Sequence, residues 1–579
     1  MNAHVCRSCV VVAEKSFMKA PGNWALCFLL LTVSTLLGNA QSLDTYSHRF
    51  AHADSLRGGL RPERTGYDVL FYDLSLSVDP ARKFIDGYNV IRYKVVRPFQ
   101  RMQVDLFANM TVQSITQTGP TGKPDTLAYV RDGNAIFISM THPQVVGQIG
   151  ELTIAYSGSP HVARNAPWDG GFVWQTDTST TRQADWVTVA CEGTGASLWW
   201  PCKDHLSDEP DSMRIRCRVP RGLTCVANGQ LVGQRPGPDG RQTEWTWFVH
   251  YPINNYNVTL NITDYAHLTD TYVARDGESL RLDYYILPGN VAKAKTHFEQ
   301  VKTMLACYET YFGKYPFWRD GYKLVETPYW GMEHQSAIAY GNRYENNSFG
   351  FDFIIIHESA HEYFGNSLSC ADQAEMWIHE SFTTYAETLF VECTQGEERA
   401  IEYLNTQRRV IRNQYPMLGP PGVNADQLDT DIYYKGAWML HTMRHAVNDD
   451  TKWFAALKAL TTEKKLSIVT TDDVINLLSQ HTGFDLRPIA AQYLRHADLP
   501  TLEYYVDGPS ATGSTVHYRW VADERRFNLP VQVRAGAGTW QTIRPTRDWK
   551  TVKLSGMPVA GLSVNSRNGL FNVLTSTGE

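Results

Sequence analysis

The feature that most constrains this chain is a change in the spacing of its apolar residues. From Tyr67 to about Tyr265 they alternate: Tyr72, Leu74, Leu76 and Val78 share one face, and residues 90–96 and 152–156 repeat the pattern. Period-two spacing sends successive side chains to opposite faces of a strand. Turn pairs such as Asp79-Pro80, Asp86-Gly87, Asn228-Gly229, Pro236-Gly237 and Asp239-Gly240 keep the runs short, so this stretch reads as an antiparallel β domain of many strands. After Pro288-Gly289 the period lengthens to that of helices over residues 291–312, 353–366, 375–392, 436–447 and 471–497. Beyond Pro500 alternation returns at residues 529–533, 552–554 and 562–565, which predicts a small terminal β domain. No internal repeat at a fixed period is present.

Composition excludes several classes. Of 579 residues 43% are hydrophobic and 20% charged, enough apolar material for several cores and too much for a disordered chain. The formal net charge of −6, without a long basic run, excludes the basic footprint of a nucleic-acid binder, so no nucleic-acid partner is expected.

Residues 24–37 form one apolar block (WALCFLLLTVSTLL) after Lys15 and Lys19 and before Gly38-Asn39-Ala40. It is shorter than the roughly 20 residues of a membrane-spanning helix. Small residues at its end suit cleavage before Gln41, so residues 1–40 read as a signal peptide, with Met18 an alternative start. The expected product is exported, periplasmic or extracellular, without stable membrane insertion. Seven cysteines lie beyond that block, scattered and odd in number, and single buried thiols are expected for most of them. A Cys217–Cys225 pair across a hairpin is the one bond considered. Sequons occur at Asn109, Asn257, Asn261 and Asn346.

The chemistry is carried by His357-Glu358-Ser359-Ala360-His361, an HExxH motif in an apolar helical run. A spacing of four puts both imidazoles on one helix face, where they can share a metal, and Glu358 beside them reaches a water there. A tetrahedral catalytic zinc needs a third protein ligand and an open position. Glu380 is the candidate, nineteen residues after His361 in a second amphipathic stretch that begins at Trp377. Glu387, seven residues further on the same face, is placed to accept a hydrogen bond from a ligand histidine or else is a solvated acid. His334 and His379 are expected not to be ligands.

These residues resemble the gluzincin zinc aminopeptidases, the family of aminopeptidase N and the leukotriene hydrolase. The likeness runs through HESAHEYFGN and WIHESFTTYAE to Trp330-Gly331-Met332-Glu333-His334, similar to the family's GxMEN element, and Tyr433-Tyr434-Lys435-Gly436, similar to its Tyr-x-Lys-Gly element. Weaker likeness covers Ala190-Cys191-Glu192 and Trp200-Pro201-Cys202-Lys203-Asp204, so that the whole extends from about Tyr67 to Pro500. The resemblance implies one zinc held by His357, His361 and Glu380, Glu358 as general base and Tyr433 as donor to the oxyanion. It also implies Glu333 and Glu192 as anchors of a free α-amino group, with Gly331 and Met332 beside them along the substrate. The implied fold is multidomain α+β: after residues 1–40, an N-terminal β domain over 41–270, a thermolysin-like, mostly helical zinc domain over 271–500 and a small β-sandwich-like domain over 501–579.

Three departures qualify the implied activity. Trp330 replaces a small residue and His334 replaces Asn, so a bulkier, more aromatic wall is expected near the amine site, while Ala190 stands where a Gln is frequent, which removes one polar contact. Tyr329 and Trp330 are expected to border the pocket for the cleaved residue. The 79 residues after Pro500 read as strands where longer relatives carry a large helical domain, which predicts a more open groove. Release of N-terminal residues from peptides is the expected reaction. A zinc endopeptidase or other hydrolase and a catalytically silent peptide binder are the alternatives, and oligomeric state is not readable.

Overall fold

The alternating residues at the start of the chain do form a strand: Tyr72, Leu74, Leu76 and Val78 are all fully buried on Tyr67–Asp79. That strand lies inside an eight-stranded sheet, antiparallel to Phe84–Val95 on one side and parallel to Ser212–Pro220 on the other. The expected antiparallel domain is therefore present, with this parallel pair inside it. Residues 80–211 lie between the two strands, ample chain for the crossover that parallel neighbours need. A four-stranded sheet built from Gly171–Asp177, Ala184–Ala190, Thr224–Ala227 and Leu260–Thr263 packs with it around one aromatic-rich core that includes Trp199, Trp200 and Trp247. These observations come from a computed structural model that describes residues 50–577, except 119–122, 239, 425–428, 508–513, 537 and 555–561. The expected signal segment lies outside the described residues.

Ala266–Val273 pairs with Ser279–Ile286, and the sheet continues through Tyr322–Glu326 and Ile338–Tyr340 to the short edge strand Gly331–Met332. The expected boundary at 270/271 thus falls within a strand of the sheet that carries Gly331 and Met332. Helices pack over this sheet. Three of the predicted helices are interrupted. Residues 291–312 divide at Phe298 into Val291–His297 and Gln300–Tyr311. The segment 471–497 divides at Gly483, whose φ of 70° caps Thr471–Thr482 before Arg487–Arg495 begins. Phe353–Ala360 stops six residues short of the predicted end. Among the described residues four helices escaped prediction, His52–Gly58, Pro62–Thr65, Glu397–Arg408 and Asp450–Glu463. Beyond Pro500 a four-stranded and a three-stranded sheet are present. Among the described residues no helix is long and apolar enough to cross a membrane.

Gln300–Tyr311 and Trp377–Gln395 run close enough to join Cys307 to Cys393. This bond was not predicted, because its partners lie 86 residues apart and only helix packing brings them together. The other five cysteines described are free and buried, Cys217 and Cys225 among them. Of the four sequons, Asn257 and Asn261 are fully buried and cannot carry a glycan, while Asn109 and Asn346 are exposed.

Candidate active site

The helix Phe353–Ala360 starts at a well-fastened point. Asp352 caps it by accepting from the amides of Ile354 and Ile355, and the same carboxylate takes hydrogen bonds from His297, Tyr340 and Asn342. Ile354, Ile355 and Ile356 are buried in the core, which holds the helix against the sheet. Its abrupt end also serves the site. Gly365 adopts φ 129°, and a Cβ there would lie 3.1 Å from His361 Nδ1. The chain can therefore fold back beneath the ring, so that His361 Nδ1–H donates to the Phe364 carbonyl at 3.0 Å.

His357 is oriented by a carboxylate instead. Its Nδ1–H donates to Glu387 Oε1 at 2.6 Å, and Glu387 is buried among further donors, Tyr403 Oη and, at 3.1 Å, Gln407 Nε2. The solvated-acid reading of Glu387 is thereby excluded. With both Nδ1 atoms donating, both Nε2 atoms carry lone pairs, and they face each other at 3.3 Å. Glu380 Oε2 sits 3.5 Å from each and receives no hydrogen bond. Three buried acceptors converging without a donor are satisfied by a cation, and two imidazoles plus a carboxylate match the donor set of a catalytic zinc. The electrostatics agree: burial lowers the affinity of His361 for a proton, but Glu333 and Glu380 overcome it and raise the imidazole to about 9. The centre attracts positive charge.

Glu380 lies on Trp377–Gln395, and the approach of the next helix explains the Tyr-x-Lys-Gly pattern. A Cβ on Gly436 would stand 1.7 Å from Ser381 Oγ, so only glycine lets Tyr434–Val447 cross this closely beside Glu380. Ser381 Oγ donates to the Ile432 carbonyl at 2.6 Å, and Lys435 Nζ donates to the carbonyls of His496 and Ala497. Tyr433, at the head of that helix, stacks on His357 with ring centroids 6.1 Å apart and lines the cavity. Tyr434 lines the same cavity, with its ring 6.2 Å from that of Tyr433.

Glu333 follows the edge strand Gly331–Met332 and is buried. Tyr256 donates to its Oε1 at 3.0 Å, while Asn366 Nδ2 donates to its carbonyl at 2.8 Å. The Asn228-Gly229 turn supports the same segment, with Asn228 Nδ2 on the Gln335 carbonyl and the Gly229 amide on Ser336 Oγ. The ligand atoms of Glu333, Glu358 and His361 lie within 4.8 Å of one another. Burial, partly offset by the two histidines, leaves Glu358 raised to about 7. Glu192 comes from a separate element, the turn after Ala184–Ala190, and shares the cavity with Glu333. Burial and then the charge of Glu333 push its carboxyl above the usual carboxylate range.

A cavity of about 420 Å³ joins these groups. The structure brings His357, His361, Glu380, Glu358, Glu333, Glu192, Gly331, Met332, Tyr433 and Glu387 to its wall. Other expectations are corrected. His334 is fully buried with no hydrogen-bond partner and does not line the cavity, and burial lowers it to about 3. His379 accepts from the Cys370 amide, away from the metal group, as expected of a non-ligand. Tyr329 is turned inward, its hydroxyl 3.3 Å from the Val189 carbonyl. Sequence reasoning missed Tyr256, Tyr403 and Gln407. The first had no signal, whereas apolar positions Ala400 and Leu404, one turn apart, could have revealed the helix that carries the other two.

Residues 296–493 match the model of the Peptidase family M1 domain, a span that contains every metal-facing residue described above. The chain thus carries a Peptidase family M1 domain. The chain is 23% identical over 434 residues to probable aminopeptidase 1 of Sulfurisphaera tokodaii, covering 71% of this chain and 52% of that protein. It is 25% identical over 512 residues to mouse aminopeptidase B, covering 80% and 70%. The chain spans about half or less of the length of several of the curated relatives it matches. Its fold is shared with the M1 zinc metallopeptidase of Deinococcus radiodurans bound to a Tyr-Ser-Ala substrate, with a TM-score of 0.62 at 20% identity over 75% of this chain and 95% of that one.

Proposed function

We propose that this chain is an exported zinc aminopeptidase that removes the N-terminal residue of peptides. The observation that carries the reading is the closeness of Glu333 to the metal group: its carboxylate lies within 4.8 Å of the ligand atoms of Glu358 and His361. One residue of extended chain spans about 3.8 Å. An ammonium held by Glu333 therefore leaves room for a single residue before the carbonyl that faces the metal. Glu192, on the same cavity, adds a second carboxylate that favours an ammonium and repels a C-terminus.

Zinc held by His357, His361 and Glu380 would polarise the scissile carbonyl and make a water acidic. Glu358 takes the water's proton and passes it to the leaving amine, for which its carboxylate stands free in the cavity beside Gly331. Tyr433 donates its hydroxyl to the oxygen on which charge develops, a contribution of typically about 3 kcal/mol. Its phenol proton is retained at neutral pH, because burial and the charge of Glu380 hold its pKa well above 10. Glu387 keeps His357 in the tautomer that leaves Nε2 free.

Export rests on the apolar block at residues 24–37 and is supported by the Cys307–Cys393 bond, a bond typical of oxidising compartments. The reaction is tested by comparing a free tetrapeptide with its N-acetylated form by mass analysis of products. Stepwise loss of N-terminal residues from the free peptide alone is expected. Equal cleavage of both, or internal cuts, would remove the amine-anchor role and leave an endopeptidase.

A further inference from the structure

Two large aromatic residues are exposed at the mouth of the cavity, Trp168 at 64% and Trp330 at 47%. Leaving such surface in water is unfavourable, and adjoining exposed rings mark a binding surface. They are not isolated. Ring centroids step from Trp168 to Trp330 over 6.3 Å, on to Phe353 over 5.4 Å and to the metal-facing His357 over 5.3 Å. One aromatic row thus leads from solvent to the reacting centre.

Trp330 is held by its indole and Trp168 by the backbone of its loop. Trp330 Nε1–H donates to Asn342 Oδ1 at 2.8 Å, and Asn342 Nδ2 donates to Asp352, the cap of the helix that bears His357. The loop of Trp168 is closed by Asp169, whose carboxylate accepts from the amides of Arg164 and Asn165. Thr194 Oγ1 donates to the Asp169 carbonyl, which ties this loop to the turn that carries Glu192. Rings fixed in advance lose little freedom when a ligand arrives.

The direction of the substrate follows from the strand. Trp330 precedes Gly331, Met332 and Glu333, so the row lies at the opposite end of this segment from the amine anchor. A peptide whose ammonium rests on Glu333 must leave past Trp330 and Trp168, with its second and third side chains along the rings. From this juxtaposition we infer that Trp168, Trp330 and Phe353 form a subsite beyond the scissile bond that selects peptides with an aromatic second or third residue. The two indoles meet at 56°, a wedge into which a third ring enters in the tilted geometry aromatic groups favour.

The inference rests on the aminopeptidase reading for its direction, and the test separates the two. Release of alanine is measured from Ala-Phe-Ala-Ala, Ala-Ala-Phe-Ala and Ala-Ala-Ala-Ala with the parent enzyme, Trp168→Ala and Trp168→Phe. The parent is expected to favour one of the Phe peptides by about tenfold in kcat/KM, Trp168→Ala to lose that preference and Trp168→Phe to keep most of it. A parent indifferent to Phe, or a preference untouched in Trp168→Ala, overturns the inference. If acetylated and free peptides are cleaved alike, the aminopeptidase reading fails. Affinity of the same peptides for Glu358→Gln, followed by indole fluorescence, then decides the subsite alone: tighter binding of a Phe peptide that requires Trp168 sustains it, and equal binding sinks it.

Discussion

Glu387 offers the sharpest test of how this centre is held. Its carboxylate is 1% exposed and accepts from three donors, His357 Nδ1, Tyr403 Oη and Gln407 Nε2. In Glu387→Gln the new amide can keep its oxygen on His357 and turn its NH₂ toward Tyr403 and Gln407. A phenol accepts as readily as it donates, and Gln407 can flip, since its own oxygen has no partner. The fold is therefore little affected, but the negative charge that makes His357 a better ligand is gone. Partners of this kind typically contribute about 10–100-fold in metal affinity. Glu387→Ala instead strands three buried donors, each costing roughly 1–3 kcal/mol, and opens a cavity beside them. The prediction is a pattern: the Gln variant loses about 10–100-fold in zinc affinity with a near-parental urea midpoint of the metal-free protein, whereas the Ala variant loses both. Zinc affinity is read by competition with a chelator of known strength, and stability by urea unfolding. A Gln variant that binds zinc within twofold of the parent would refute the role assigned to this carboxylate, and an Ala variant of unchanged stability would refute the accounting of buried donors.

Three further outcomes are expected. Gly436→Ala must push its helix away from the neighbouring one, because its methyl would stand 1.7 Å from Ser381 Oγ; a loss of about 1–3 kcal/mol in urea unfolding and a fall in kcat from displacement of Tyr433 should follow, and neither should appear in an exposed Gly→Ala control. Glu358→Gln should keep its zinc, measured by metal analysis, yet lose about 10²–10⁴-fold in kcat, while removal of metal from the parent with a chelator should stop the reaction and zinc should restore it. His205 is held neutral, with its Nε2–H on the Gly58 carbonyl and its Nδ1 accepting from the Ser207 amide, and burial lowers it to about 4. The unfolded chain binds that proton first, so this residue's contribution to stability is complete above about pH 6.5 and is lost as pH falls toward 4. The unfolding free energy of His205→Gln, titrated beside the parent, should lack that component, and parallel pH curves would contradict it.

Much of the fold was legible because periodicity reports burial directly. Tyr72 to Val78 and the run at 353–360 bury the faces their spacing assigns to the core. What the spacing could not report is interruption. The helix at Ala360 ends because Gly365 must turn beneath His361, and the long run at 471–497 breaks where Gly483 takes a left-handed conformation. Parallel pairing of Tyr67–Asp79 with Ser212–Pro220 was likewise hidden, since partner choice between distant strands leaves no local trace.

By itself, the sequence singled out His357 and His361 as candidate metal ligands, because two histidines four apart on a helix are neighbours whatever surrounds them. It offered Glu380 through the reach of a second helical stretch, and Glu333 and Tyr433 through resemblance. Only the tertiary structure decided that Glu387 is a buried partner of His357, that His334 and Tyr329 turn away from the cavity, and that Trp168 meets Trp330 across 162 positions of chain. The reason is one of range. A helical repeat acts over a few residues and is written in local order, whereas a cavity wall is assembled from segments joined by long loops, and packing alone sets which of their side chains face inward.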